Sequence, residues 1–290
     1  MVFQVFFLWM LLCFSAFGAE DPPSPTLPPD GPAALEVKAA EHLQWKPEDQ
    51  ALEAVGKVNL AYKNFVLQAH RARLLYQGDG PSPQGSPSSA PAMESIRAFD
   101  LEGAVVLKNA LYTLNCQRAH YQFSNQRLNL SGDPIVIKNN TDTAKIWGTV
   151  TVDLAHSRID GMGPVHLSRQ NYDVKGNDMT LMFLPLDMNH LQDATLTTAA
   201  ILKDVVLTYP GLNVTADHAL YDQGAQTVTL TSNVILTRQN SVIRTEKGVL
   251  DLTTQRVRLS SPNQPVTGNI HVPDFEKTKD APKPQTKDKS

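Results

Sequence analysis

Apolar and polar residues alternate along most of this chain with a period of two. In RLNLSGDPIVI (127–137), Leu128 and Leu130 share one face with Gly132. In TVTLTSNVILT (227–237), Val228 and Leu230 do the same, while Thr and Asn occupy the other face. Successive strand side chains point to opposite sides, so this alternation predicts half-buried β-strands. Val, Ile, Thr, Leu and Tyr dominate these stretches, and Ser124-Asn125 and Gln223-Gly224 supply turn signals about every ten residues. A helical period is hinted at only in 37–44 and 186–194. The expected fold is all-β.

The pattern also repeats. Laid without a gap over 201–237, residues 101–137 match at Val105/Val205, Val106/Val206, Leu107/Leu207, Ala119/Ala219, Tyr121/Tyr221, Gln126/Gln226, Leu130/Leu230 and Ile135/Ile235. After a two-residue slip, Asp153, Leu154 and Arg158 fall on Asp251, Leu252 and Arg256. A shorter unit, Leu-x-Ala-x-x-Ala-x-Tyr, recurs in LQAHRARLLY (67–76), LNCQRAHY (114–121) and VTADHALY (214–221), and in worn form in YDVKGNDMTLMF (172–183). It predicts a strand bent or bulged at its polar pair, a hairpin turn, and a returning strand. One hairpin leaves an apolar face bare; stacked hairpins bury it. The expected architecture is two facing antiparallel sheets, as a closed sandwich or as an open roll with an apolar trough.

Composition sets the boundaries. Residues 1–18 are almost continuously apolar and read as a signal peptide, cut before Ala19, with an uncleaved membrane anchor as the competing reading. The Pro-rich run 19–34, the Pro-, Gly- and Ser-rich loop 77–92 and the charged tail from 268 lack the apolar residues a core needs. Two modules remain, 35–158 and 159–267. A formal charge of −3 and a pI near 6.2, with cations scattered along the chain, argue against nucleic acid. Once a signal is removed Cys116 is the sole cysteine, which leaves no partner for an internal disulfide.

Candidate chemistry is sparse. The histidines (His42, His70, His120, His156, His166, His190, His218 and His271) show no metal-ligand spacing, and no nucleophile elbow or phosphate loop follows any strand. Neither a cofactor nor a metal is expected. Asp153, Asp217 and Asp251 could in principle pair across strands as glycosidase carboxylates, but Asp153 and Asp251 stand at equivalent places beside turns, which favours a structural role. The small residues Ala69, Ala72, Ala119, Ala216 and Ala219 fit either room in a trough or tight packing where backbones cross.

LEVKAAEHLQWKPEDQALEAVGKVNLAYKNFVLQAHRARLLY (35–76), IRAFDLEGAVVLKNALYTLNCQRAHYQFSNQRLNLSGDPIVI (96–137) and 201–259, which ends VLDLTTQRVRL, resemble the LptA/OstA family of periplasmic lipopolysaccharide-transport proteins. The resemblance spans about 35–260 and rests on hydrophobic patterns. It implies a β-jelly-roll whose V-shaped apolar interior shelters lipopolysaccharide acyl chains, with no enzymatic activity. It also implies a bridge between an inner-membrane LptC-like and an outer-membrane LptD-like partner, joined by edge-strand addition and open to head-to-tail self-association. A retained N-terminal anchor makes the tethered LptC-like component the better comparison. The chain departs from the family in carrying nearly two module lengths. By strand parity the expected trough-lining residues are Leu60, Leu67, Leu74, Val105, Leu107, Leu114, Tyr121, Leu128, Leu130, Val205, Leu207, Val214, Tyr221, Val228, Leu230, Ile235, Leu250 and Leu252. The rival readings are an exported adhesin with a solid core and a sandwich glycosidase.

Overall fold

The structure is a computed structural model that describes residues 36–62, 65–77, 96–108, 112–169, 172–184, 195–238, 241–254, 256–262 and 265–269. The N-terminal apolar segment, the Pro-rich run, the loop beyond Gln77 and residues 186–194 lie outside these. The described residues form sixteen strands: β1 (Glu36–Lys38), β2 (His42–Lys46), β3 (Ala51–Tyr62), β4 (Phe65–Tyr76), β5 (Ile96–Lys108), β6 (Thr113–Gln122), β7 (Arg127–Lys138) and β8 (Asp142–Asp153). They continue as β9 (Arg158–Arg169), β10 (Tyr172–Leu184), β11 (Thr195–Tyr209), β12 (Leu212–Asp222), β13 (Thr227–Arg238), β14 (Ser241–Asp251), β15 (Arg256–Ser260) and β16 (Thr267–Asn269). The helical hint at 37–44 is overturned, because the segment lies in β1 and β2, which pair with the two ends of β3. Gly268 and Asn269, read as the start of the tail, pair with β14.

From β2 to β15 every strand pairs antiparallel with its sequence neighbours in one continuous open sheet, which β1 joins on β3 and β16 on β14. The ladder crosses from β8 to β9 to β10 like the others, with no break at the 158/159 boundary. The two layers expected of a jelly-roll are the two halves of each long strand. Registers shift mid-strand between Val55 and Val58, Glu102 and Val105, Asn115 and Arg118, Gly132 and Ile135, Leu202 and Val205, and Thr231 and Val234. These bulges align across the ladder, and each bends its strand. Residues from both sides of the bends then meet in one core.

The crease is written into the backbone. Gly56, Lys57, Gly103, Ala104, Asp178, Lys203, Asp204, Ser232 and Asn233 all carry positive φ there. At the middle of the ladder the backbones approach so closely that a Cβ on Gly148 would stand 2.2 Å from the Met162 carbonyl oxygen, and one on Gly163 would stand 2.2 Å from that of Trp147. Glycine is required at both. Ala69 and Ala72 flank the bend of β4, Cys116 and Ala119 that of β6, and Ala216 and Ala219 that of β12, all buried. Small residues thus stand where the two walls converge.

One row of turns is strongly built. Turns 123–126, 154–157 and 223–226 each end on a residue with φ near +50° (Gln126, Ser157 and Gln226), so Gln126 and Gln226 occupy equivalent places. The turns are tied sideways, Leu154 N–H donating to the Gln126 carbonyl at 3.1 Å and Leu252 N–H to that of Gln226 at 2.9 Å. Asp153, Asp222 and Asp251 carboxylates accept the amides of His156, Ala225 and Thr254 at 2.8–3.1 Å. Behind this row lie Tyr76, Tyr121, Phe183, Tyr221, Leu154 and Leu252, all buried. We call it the capped edge.

Candidate functional site

The opposite row of strand ends, Tyr62 and Phe65, Lys108 and Thr113, Lys138 and Asp142, Arg169 and Tyr172, Tyr209 and Leu212, and Arg238 and Ser241, forms the other border. Its inward residues Leu67, Leu114, Ile137, Ala144, Leu167, Leu207, Leu212 and Leu236 pack on the core yet stay partly exposed. Apolar side chains there meet both the interior and water, as a mouth requires. We call it the open edge.

Between the two walls lies a cavity of about 120 Å³. Ile137, Ala144, Ile146 and Leu167 come from the open-edge halves of β7 to β9, and Val150, Ile159, Met179, Leu181, Leu196, Ala199, Ile201 and Ala219 from the capped-edge halves of β8 to β12. Its polar lining, Lys138, Asn139, Asp142, Thr143 and Ser168 beside Tyr112, belongs to the open edge. Local sequence explains the void. Gly161 lies between Ile146 and Met179, where its absent Cβ would have met Met179 Cε at 3.4 Å and Ile146 Cγ2 at 3.7 Å. Ala144, Ala199 and Ala219 are the other small residues of the wall.

The residues expected to line a trough are distributed differently. Leu60, Leu74, Val105, Tyr121, Leu128, Leu130, Val205, Val214, Tyr221, Val228, Leu230 and Leu252 are in the buried core, and Leu67, Leu114, Leu207 and Leu250 pack against it. Leu107 is half-buried in register with Leu67 and Leu114. Ile235 departs from the expected parity. The bulge at Ser232–Asn233 puts Val234 into the core, whereas β7 resumes with Ile135, so the aligned isoleucines have different environments. None of these eighteen residues lines the cavity. The matching copies lie at 101–137 and 201–237, and the cavity is centred on the strands between them. Alternation in Ala144-x-Ile146 and Val165-x-Leu167 was the available signal.

At both ends of the sheet inward positions become exposed. Leu43 of β2, paired with buried Ala54, is 51% exposed, and Val257 of β15, paired with Leu250, is 48% exposed. The interior is therefore open at each terminal strand. Both terminal strands are also split, β1 and β2 along β3 at one end and β15 and β16 along β14 at the other.

The candidate carboxylates serve the frame. Asp153 accepts from Arg127 at 2.7 Å and from the His156 amide, contacts that hold its carboxyl at about 2, well below the usual range. Asp251 is lowered chiefly by the Thr254 amide. Asp217 accepts from Asn233 at 2.8 Å, tying β12 to the bulge of β13. Burial pushes the Cys116 thiol up to about 11. Among the described residues no His, Cys, Asp and Glu cluster could hold a metal ion, and no helix is long and apolar enough to cross a membrane.

Residues 148–256, less than half of the chain, match the family described as LptA/(LptD N-terminal domain) LPS transport protein. No curated protein matches the chain. Among solved structures, the chain is similar to LptH, the LptA-homologous periplasmic component of the lipopolysaccharide transport device of Pseudomonas aeruginosa. Identity is 14% over 56% of this chain and 95% of that one, and the TM-score of 0.26 says nothing about the site. Over 148–256, then, the chain is similar to the LptA/LptD N-terminal family of LPS-transport proteins.

Proposed function

We propose that the protein is a non-enzymatic carrier that takes the acyl chains of lipopolysaccharide into the space between its two walls. The observation that carries this reading is the apolar cavity, whose polar lining is confined to the open edge. Each methylene left in water costs about 0.8 kcal/mol, so a lipid with several acyl chains needs continuous shelter across an aqueous gap. The cavity at about 120 Å³ is smaller than the roughly 300–1,000 Å³ of ordinary ligand pockets, so the walls part at the open edge as chains enter. Among the described strands no ladder pairing runs between the walls away from the crease, so they can part without breaking the ladder.

The split terminal strands support a bridging role. Each presents an edge able to accept a further strand, and each adjoins an exposed inward residue, Leu43 or Val257. In this reading an inner-membrane LptC-like protein adds at one end and an outer-membrane LptD-like protein or a second copy at the other. The two sequence modules act as consecutive lengths of one trough in the periplasm. An N-terminal anchor, if retained, would make the chain the tethered LptC-like component with the same trough.

Photo-crosslinking decides the central claim. A photoreactive residue at Ile137, Leu167 or Leu181, which line the cavity, is expected to capture lipopolysaccharide. One at Asn129 or Thr151, which share an outward contact at 3.1 Å, is not. Equal capture at both sets of positions removes the carrier reading.

A further inference from the structure

Arg169 is the only arginine or lysine that is buried among the described residues, 7% exposed at the last inward position of β9. It sits opposite Asp142 in the β8–β9 ladder, with Nε 3.3 Å from the carboxylate. Asp142 lines the rim of the apolar cavity, and Lys138, on the same rim, is exposed. Three contacts fix Asp142. Its carboxylate accepts from Asn139 Nδ2 at 3.0 Å and Thr141 Oγ1 at 2.9 Å, while its amide donates to Asn139 Oδ1 at 2.7 Å.

Stability alone is a weak reason for a buried pair of this kind. Desolvating two charges costs several kcal/mol, and apolar residues of similar volume often serve stability as well or better. Inward positions nearby are filled by Ile137 and Leu207. A guanidinium paired with a carboxylate that lines the polar rim of an apolar cavity instead offers a planar fork that matches phosphate oxygens in pairs.

We propose that Arg169, held in place by Asp142, receives a phosphate of the lipid whose acyl chains occupy the cavity. The inference rests on the carrier reading above and adds a headgroup determinant to it. In the empty protein the Asp142 carboxylate stands in for the anion and keeps the guanidinium at the rim. On loading, the phosphate takes over the guanidinium, and Lys138 adds a second positive charge. The headgroup is thereby kept at the open edge, with the chains directed inward.

The test measures binding of lipopolysaccharide and of the same material after phosphatase treatment to the full chain, with inorganic phosphate as a competitor. The wild-type protein is expected to prefer the phosphorylated form by about tenfold, the scale of one charge-assisted hydrogen-bonding site. Arg169→Gln should erase that preference while still binding the treated lipid. Asp142→Asn, which removes the competing charge and keeps an acceptor for Asn139 and Thr141, should widen it. Inorganic phosphate should compete only weakly, since it lacks the chains. An Arg169→Gln protein with the full preference overturns the proposal and leaves the carrier reading intact, whereas a wild-type protein that binds neither lipid overturns both. Competition by inorganic phosphate as strong as by the lipid would reassign the site to the free ion. If Arg169→Gln fails to fold, a wild-type preference near one, or a preference not widened by Asp142→Asn, is the overturning result.

Discussion

The capped and open edges are made of the same strands and behave as opposites. At the capped edge Tyr76 and Tyr221 are fully buried, Phe99 stacks on Tyr121 at 5.3 Å between ring centroids, and Phe123 meets Tyr121 edge-on at 4.7 Å. Backbone hydrogen bonds link one turn to the next. At the open edge Leu114, Ile137, Leu167 and Leu236 stop short of full burial, and charged Asp142 and Arg169 stand among them. The difference teaches that one border of the roll is closed by aromatic packing and turn hydrogen bonds, whereas the other keeps its apolar residues partly exposed. Stability is concentrated at the first, and function is expected at the second.

The comparison can be broken by substitution. At the capped edge Leu74→Ala or Leu252→Ala, each at most 1% exposed, should destabilise by about 2–5 kcal/mol in urea denaturation. Leu114→Ala or Leu167→Ala at the open edge should cost under about 1.5 kcal/mol. Equal costs at the two borders would erase the distinction. The crease offers a second large effect. Gly163→Ala drives a Cβ into a carbonyl oxygen and should cost roughly 3 kcal/mol or more, while Gly211→Ala, with φ +77° but open space, should cost only about 1–2 kcal/mol.

Cys116 reports on the crease more gently. With its thiol pushed up to about 11, thiolate at pH 8 is scarce, and disulfide reagents should modify it about a hundredfold more slowly than the unfolded chain. Modification at the unfolded rate would mean that the crease opens readily. The smallest effect is a pH dependence at the capped edge. Because Asp153 titrates lower in the folded state, at about 2, than in the unfolded chain, its contribution is complete above the ordinary carboxylate range. That contribution is lost as pH falls toward 2. Asp153→Asn should cost about 1–2 kcal/mol at pH 7 and almost nothing at pH 2, read from thermal melts at both. A cost independent of pH would assign the Asp153 effect to packing.

Much of this was legible along the chain. Alternation located the strands, and the recurring turn signals located the capped edge. The repeat placed Asp153 and Asp251 as equivalent turn residues, and both accept a turn amide. The bend at the polar pair was legible too, since the Gln117-Arg118 and Asp217-His218 pairs fall at register shifts. The cavity was not, nor was the outward turn of Ile235. Parity counting carries no information past a bulge, and one extra residue reverses every side chain beyond it.

By itself, then, the sequence determined the elements and their order: strands from period two, hairpins from turn chemistry, a stacked array from the repeat. Those properties are local, set by backbone sterics and by neighbours a few residues away. The tertiary structure alone decided that each strand supplies both walls, that small residues mark the crease, and that Gly161 and its small neighbours leave a void. It also decided that Arg169 and Asp142 meet at the rim of that void. Each depends on which bulge lies beside which across the ladder, a matter of packing between residues far apart in the chain.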